Sequence, residues 1–188
     1  MKNKFFYWVA ILLIAGCEGI REGEEFRITG DLKGVNDSTV IYYRLSDGSN
    51  LMTMDSAILI NGQFQFEGSL DYPQMIYLQI GNSRQMINVF AENTRIEISA
   101  NVDSLDQTQV EGSNVHNELM AFNSHMKPLD DEYNELVSAY RQATASNDHA
   151  VIQQLDENYD NLWGRQQEAI IGFLSDKNAS FLKPYLIR

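Results

Sequence analysis

The hydrophobic period of this chain changes once, and that change limits what it can fold into. Up to Glu111 apolar residues tend to alternate with polar ones, whereas beyond Gly112-Ser113-Asn114 they recur at steps of three and four. Strand side chains alternate between two faces, and helix side chains return to one face every three or four residues. The expected fold class is therefore α+β. An antiparallel β-sandwich or open barrel over 26–112 is followed by a helical region over 113–188 of about three helices.

In the first part, Phe26, Ile28 and Leu32 alternate with Arg27, Thr29 and Asp31. Val40 to Tyr43 reads as a second strand, after the turn-forming Gly34-Val35-Asn36-Asp37, and Asp47 to Asn50 marks another break. In the segment 56–66, Asn61-Gly62 suits the two positive φ values of a type I′ turn, which predicts a two-residue hairpin. That hairpin would set Leu59 opposite Phe64 and Ala57 opposite Phe66 on a core face. Ile58 and Ile60 would lie on the other face, needing cover from a second sheet or a helix. Further strands are expected over Met75 to Ile80, Met86 to Phe90, Arg95 to Ala100 and Thr108 to Glu111.

In the second part, Val115, Leu119, Phe122 and Met126 form one apolar stripe, which Ser113 or Asn114 can cap. Pro128 is expected to end that helix, since its ring clashes with the preceding turn. Leu129, Tyr133, Leu136 and Tyr140 would then belong to a second helix, with Asp130, Asp131 and Glu132 at its positive N-terminus. A third follows Ser146-Asn147-Asp148, with Ile152, Leu155, Tyr159, Leu162, Gln166, Ala169 and Phe173 in its stripe. The stripes are expected to bury against one another or the β half, with a coiled-coil seam for a partner as the alternative.

Ahead of both parts stand Lys2 and Lys4 and an uncharged apolar run from Phe5 to Ala15. The run suits a signal-peptide core and is too short to cross a bilayer of about 30 Å as a helix. It ends in Ile14-Ala15-Gly16-Cys17, which resembles the lipobox of bacterial lipoproteins. The resemblance implies cleavage between Gly16 and Cys17 and acylation of Cys17, leaving 1–16 as signal peptide and 17–25 as an acylated tether. Two or more acyl chains would give stable anchoring. The expected location is the cell envelope, the outer membrane rather than the inner, with the leaflet left open by the loose acidic signal after Cys17.

Cys17 is the single cysteine of the chain. A Cys-x-x-Cys pair, an internal disulfide or a thiolate zinc site each needs at least two. The net charge is −12, and loss of the leader, which carries Lys2 and Lys4, takes it to −14. So acidic a body is repelled by phosphate backbones, so no nucleic-acid partner is expected.

His116, His125 and His149 lack metal-ligand spacing and read as surface residues. Asp130 to Glu132 and Glu135 lack the spacing of a calcium loop. Ser113 reads as a cap rather than a nucleophile. Neither a metal nor a cofactor is expected. Tyr42, Tyr43, Tyr72 and Tyr77 suit a β core better than a ligand platform. Asp37-Ser38-Thr39, Asp55-Ser56-Ala57 and Asp103-Ser104-Leu105 resemble an O-glycosylation sequon of some envelope proteins.

The motif order carries a wider resemblance. Phe26-x-Ile28-x-Gly30, then Val40 to Tyr43, then Asp55-Ser56-Ala57 leading to Asn61-Gly62-x-Phe64-x-Phe66-x-Gly68, Tyr77-Leu78, Glu111-Gly112-Ser113 and a helical stretch follow in turn. This resembles the domain of unknown function that precedes the thioredoxin-like domain in envelope lipoproteins of the thiol:disulfide interchange type. It implies no catalytic residue here, because the redox Cys-x-x-Cys of those proteins lies in the domain beyond. The expectation is a non-catalytic accessory region held at the membrane through Cys17, from which a thioredoxin domain is absent or truncated. The alternative is a stand-alone envelope module for binding or assembly, with a protein or peptide partner.

Overall fold

The computed structural model describes residues 23–175 and 181–186. Eight strands come first: β1 (Phe26–Lys33), β2 (Val40–Ser46), β3 (Leu51–Ile58), β4 (Gln63–Gly68), β5 (Gln74–Ile80), β6 (Met86–Ala91), β7 (Arg95–Asn101) and β8 (Gln109–Glu111). A 3-10 segment, Val102–Gln107, sits between the last two. Then come α1 (Asn114–Ser146), α2 (His149–Ser175) and the single-turn α3 (Lys183–Leu186). The strands form two four-stranded sheets, in the orders β4-β1-β7-β8 and β3-β2-β5-β6. Every pairing is antiparallel except β1 with β7, which is parallel.

Period-2 alternation places the core between the sheets. Ile28, Leu32, Phe64, Phe66, Ile96 and Ile98 from one sheet meet Ile41, Tyr43, Ile76, Leu78 and Val89 from the other, all buried. Full burial of each aliphatic side chain stabilises by about 1.5–3 kcal/mol. Tyr43 bridges the layers, its ring 5.8 Å from those of Phe26 and Phe66. Of the four tyrosines expected in a β core, Tyr43 alone is buried there; Tyr42 and Tyr77 are half-buried, and Tyr72, which is exposed, corrects the expectation. Gly30 faces this core, and a Cβ there would lie 2.1 Å from the Phe64 ring, so the phenyl group occupies the missing side chain's place.

The hairpin predicted over 56–66 is corrected beyond its turn. Asn61 and Gly62 do have positive φ (52° and 76°), and Ile60 and Gln63 exchange both backbone hydrogen bonds at 3.0 Å. The ladder stops there. Leu59 pairs with Ser38 and Thr39 instead of Phe64, while β3 continues along β2 and β4 along β1. The turn is a corner where the chain changes sheet. Leu59 still reaches the core between the layers, whereas Ile58 and Ile60 stay uncovered, 59% and 63% exposed.

Pro128 does not end a helix: α1 runs through it for 33 residues. The two predicted stripes are one stripe, since the steps from Val115 through Met126 and Leu129 to Tyr140 keep the same three-four alternation. Packing against α2 along that seam outweighs the lost hydrogen bond. Asp130, Asp131 and Glu132 therefore sit mid-helix. Asp131 pairs with Lys127 at 3.0 Å, and Glu132 pairs across to Arg165 of α2. Because an interior proline costs up to about 3 kcal/mol relative to alanine, Pro128→Ala is expected to raise the unfolding free energy. Urea titration checks this, and a lowered midpoint would show that packing on α2 requires the proline.

The α1–α2 turn follows its sequence signals. Asn147 takes the left-handed conformation (φ 52°), and Asp148 Oδ1 accepts from Val151 N–H at 3.2 Å.

Candidate functional site

The predicted lipidation site, Cys17, lies outside the described residues together with the rest of the leader. What is described begins at Gly23, and its exit from the body is held by Asn93. Gly23 N–H donates to the Asn93 carbonyl at 2.9 Å, and Asn93 Nδ2 donates to Gly23 O at 3.3 Å. The same Asn93 side chain bonds both backbone groups of Leu70 at 2.8 Å. Gly23, just ahead of β1, is thus tied to the β6–β7 turn.

The helices join the sandwich at this end too. Phe90 lies on the edge strand β6, where its N–H and C=O point away from the sheet and, being buried, need partners. Ser113 Oγ donates to Phe90 O at 2.8 Å, and Phe90 N–H donates to His116 Nδ1 at 3.3 Å. Ser113 Oγ also accepts from His116 N–H at 3.2 Å, the N-cap expected of it. Glu92 adds a second cap: its carboxylate accepts from Asn114 N–H at 2.6 Å and Val115 N–H at 3.3 Å, at the positive end of α1. Around this point Phe90, Val115, Leu119 and Leu182 form a second apolar cluster, with the Tyr185 ring edge-on to Phe90 at 5.5 Å.

His116 is therefore buried, not on the surface as its sequence context suggested, while His125 and His149 are exposed. Burial pushes its pKa below the usual 6.5, and the accepting role of Nδ1 fits the neutral ring. A depressed histidine contributes stability that is present above about pH 6.5 and lost as pH falls through the lower folded value. Glu118, nearby on α1, is pushed up by burial and by Glu92, so its contribution runs the opposite way, lost as pH rises. As pH drops below 6.5, the thermal midpoint of wild type is expected to fall faster than that of His116→Asn, which keeps an acceptor and cannot titrate. Parallel curves would remove His116 as the cause.

Among the described residues, two grooves open onto the surface. The first is the outward face of the β4-β1-β7-β8 sheet, a groove of about 810 Å³. Gln63, Gln65, Asp31, Glu97, Ser99 and Gln109 line it, with Ile58 and Ile60 at its rim. Its amides and carboxylates can hydrogen-bond a polar or cationic chain. The second is a groove of about 380 Å³ between α1 and α2, lined by Tyr133, Val137, Tyr140, Leu155 and Tyr159. The Tyr133 and Tyr159 rings lie 6.2 Å apart. Of the sequon-like serines, Ser38 and Ser56 are exposed and Ser104 is half-buried. Among the described residues, no group of three or more His, Cys, Asp or Glu could hold a metal ion.

Glu92, Asn93 and His116 went unrecognised as structural residues in the sequence. Their bonds cross 22 to 70 positions, so no local spacing announces them.

The architecture defines an α+β protein, a two-sheet sandwich whose edge strand β6 is covered by helices. The chain belongs to the family described as "Domain of unknown function (DUF4369)", which it matches over residues 26–119. The matched span takes in all eight strands and ends just past the Ser113–His116 junction. No curated protein and no solved structure matches the chain.

Proposed function

We propose that this chain is an acylated lipoprotein of the cell envelope whose folded body is a non-catalytic accessory region of a thiol:disulfide interchange system. The observation that carries the reading is Ile14-Ala15-Gly16-Cys17 behind a basic, apolar leader, directly ahead of a family-defined sandwich. Six residues from Cys17 to Gly23 reach at most about 20 Å. The tether would therefore hold the Asn93 end of the sandwich beside the lipid. No helix among the described residues is long and apolar enough to cross a membrane, and in this reading the acyl chains supply the attachment. The order of motifs from Phe26 to Ser113 supports the redox link, and the body would position a redox domain or recognise its client.

A second reading, a stand-alone binding or assembly module, is favoured by the two open grooves. Crosslinking in intact cells separates the two: recovery of a Cys-x-x-Cys protein supports the first, and recovery of an unrelated partner supports the second.

The anchor itself is tested by labelling cells with palmitate. Wild type is expected to incorporate label, and Cys17→Ser is expected to lose all of it and leave the membrane fraction. Label retained by the serine variant would refute acylation at this residue.

A further inference from the structure

The two flanks of the α1–α2 hairpin differ. On one flank Glu132 and Arg165 close the pair of helices, Arg165 being held also by Asn161 at 3.1 Å. On the opposite flank, among the described residues, the seam is open, and Tyr133, Tyr140, Tyr159 and Trp163 stand 40%, 43%, 46% and 54% exposed. Helical spacing sets further groups along this open side. Asp130 precedes Tyr133 by three positions, and Asp156 and Asp160 precede Tyr159 and Trp163 by three, all three carboxylates exposed. One cation, Arg141, stands at the groove.

We infer that this groove seats a basic amphipathic helix of a partner protein. A third helix is the natural filler of an open helix-pair seam, its apolar anchors at i, i+3 or i+4, and i+7 entering between the ridges. The lining from Tyr133 to Arg141 spans roughly 12 Å, about two helical turns, enough for three such anchors. Tyrosine and tryptophan faces attract lysine and arginine as well as apolar side chains. The rim adds attraction for positive charge: Asp156 lines the groove beside Arg141, and the exposed Asp130 and Asp160 stand outside the lining on the same side by helical spacing. That same rim disfavours a second copy of this chain, which would bring identical carboxylates against it. The inference deepens the binding-module reading and does not depend on acylation at Cys17.

The test is fluorescence anisotropy with three labelled peptides of about 18 residues. One is an amphipathic helix of leucine and lysine, one carries glutamate in place of lysine, and one is a scramble of the first without periodicity. The protein is the full chain as purified from cells, in phosphatidylcholine nanodiscs if it arrives with membranes and in buffer if it does not.

The leucine–lysine helix is expected to bind best and to weaken as salt is raised. Tyr140→Glu together with Tyr159→Glu is expected to reduce its affinity by at least roughly tenfold. Asp156→Asn with Asp160→Asn should weaken binding and flatten the salt dependence while leaving the fold intact by circular dichroism. Equal binding of the scramble, equal binding to the tyrosine variants, or no binding would overturn the proposal. So would sedimentation as a dimer that the tyrosine variants dissociate, which would give the groove to a second copy. Failure here with palmitate still on Cys17 would leave the anchor reading standing, and the converse result would separate the two the other way.

Discussion

Gly112→Ala is expected to destabilise the protein by on the order of 4 kcal/mol, a large part of the total stability of a domain this size. Gly112 has φ +89°, and a Cβ built there lies 1.9 Å from the carbonyl oxygen of Arg95. The obstacle is backbone in the central strand β7, so no rotamer change relieves it. Strain at positive φ and overpacking each cost about 1–3 kcal/mol. The position also matters. Gly112 turns the chain from β8 into the Ser113 cap, so any shift there displaces the hydroxyl that bonds Phe90. Gly164→Ala is the matched control, since its Cβ meets nothing within 4 Å in the middle of α2, and alanine there should add about 1 kcal/mol. Thermal melts of both variants decide this; a Gly112→Ala midpoint within a few degrees of wild type would contradict the clash.

The second large effect is expected at Leu162, which is 1% exposed in α2. Leu162→Asp removes a buried aliphatic group and places an unpaired carboxylate in an apolar seam. The loss is about 4 kcal/mol or more, enough to separate the helices. The helical hairpin touches the sandwich mainly where α1 meets β6. Ellipticity at the helical minimum should therefore collapse while the aromatic signal of Tyr43, held between the sheets, persists. Loss of both signals in one transition would mean that hairpin and sandwich fold as a single cooperative unit.

The sandwich was largely legible in the chain because burial on one face imprints alternation. Phe26, Ile28 and Leu32, or Ile96, Ile98 and Ala100, announce both the strand and its inner face. The first half of β3 was missed for the complementary reason. It is an edge strand whose Met52, Thr53, Met54 and Asp55 are all exposed, so no burial pattern forms. Asn61-Gly62 specified its turn correctly, but turn chemistry fixes two residues and not how far a ladder runs. The choice between hairpin and sheet corner belonged to β1 and β2, which offered longer pairings.

At Pro128 the local rule against interior proline yields to the phase of the stripe, which continues unbroken from Met126 to Leu129 and Tyr133. Phase was the better guide, because packing along the whole seam outweighs one missing hydrogen bond. Of the candidate sites, the Ser113 cap was readable from its position before the stripe. Its partners were not, since the Phe90 edge becomes visible only once β6 is known to be outermost. The hairpin's acidic and aromatic flank was likewise implicit in the spacing of Asp130, Tyr133, Val137 and Tyr140.

The central claim is that thioether-linked lipid on the residue following Gly16 holds this sandwich at a membrane. Intact-mass analysis of the mature protein from fractionated cells addresses it directly. The account predicts a membrane-fraction species whose N-terminal peptide starts at Cys17 and carries the added mass of acyl chains. A freely soluble species that still begins at Met1 and bears no added mass would contradict it.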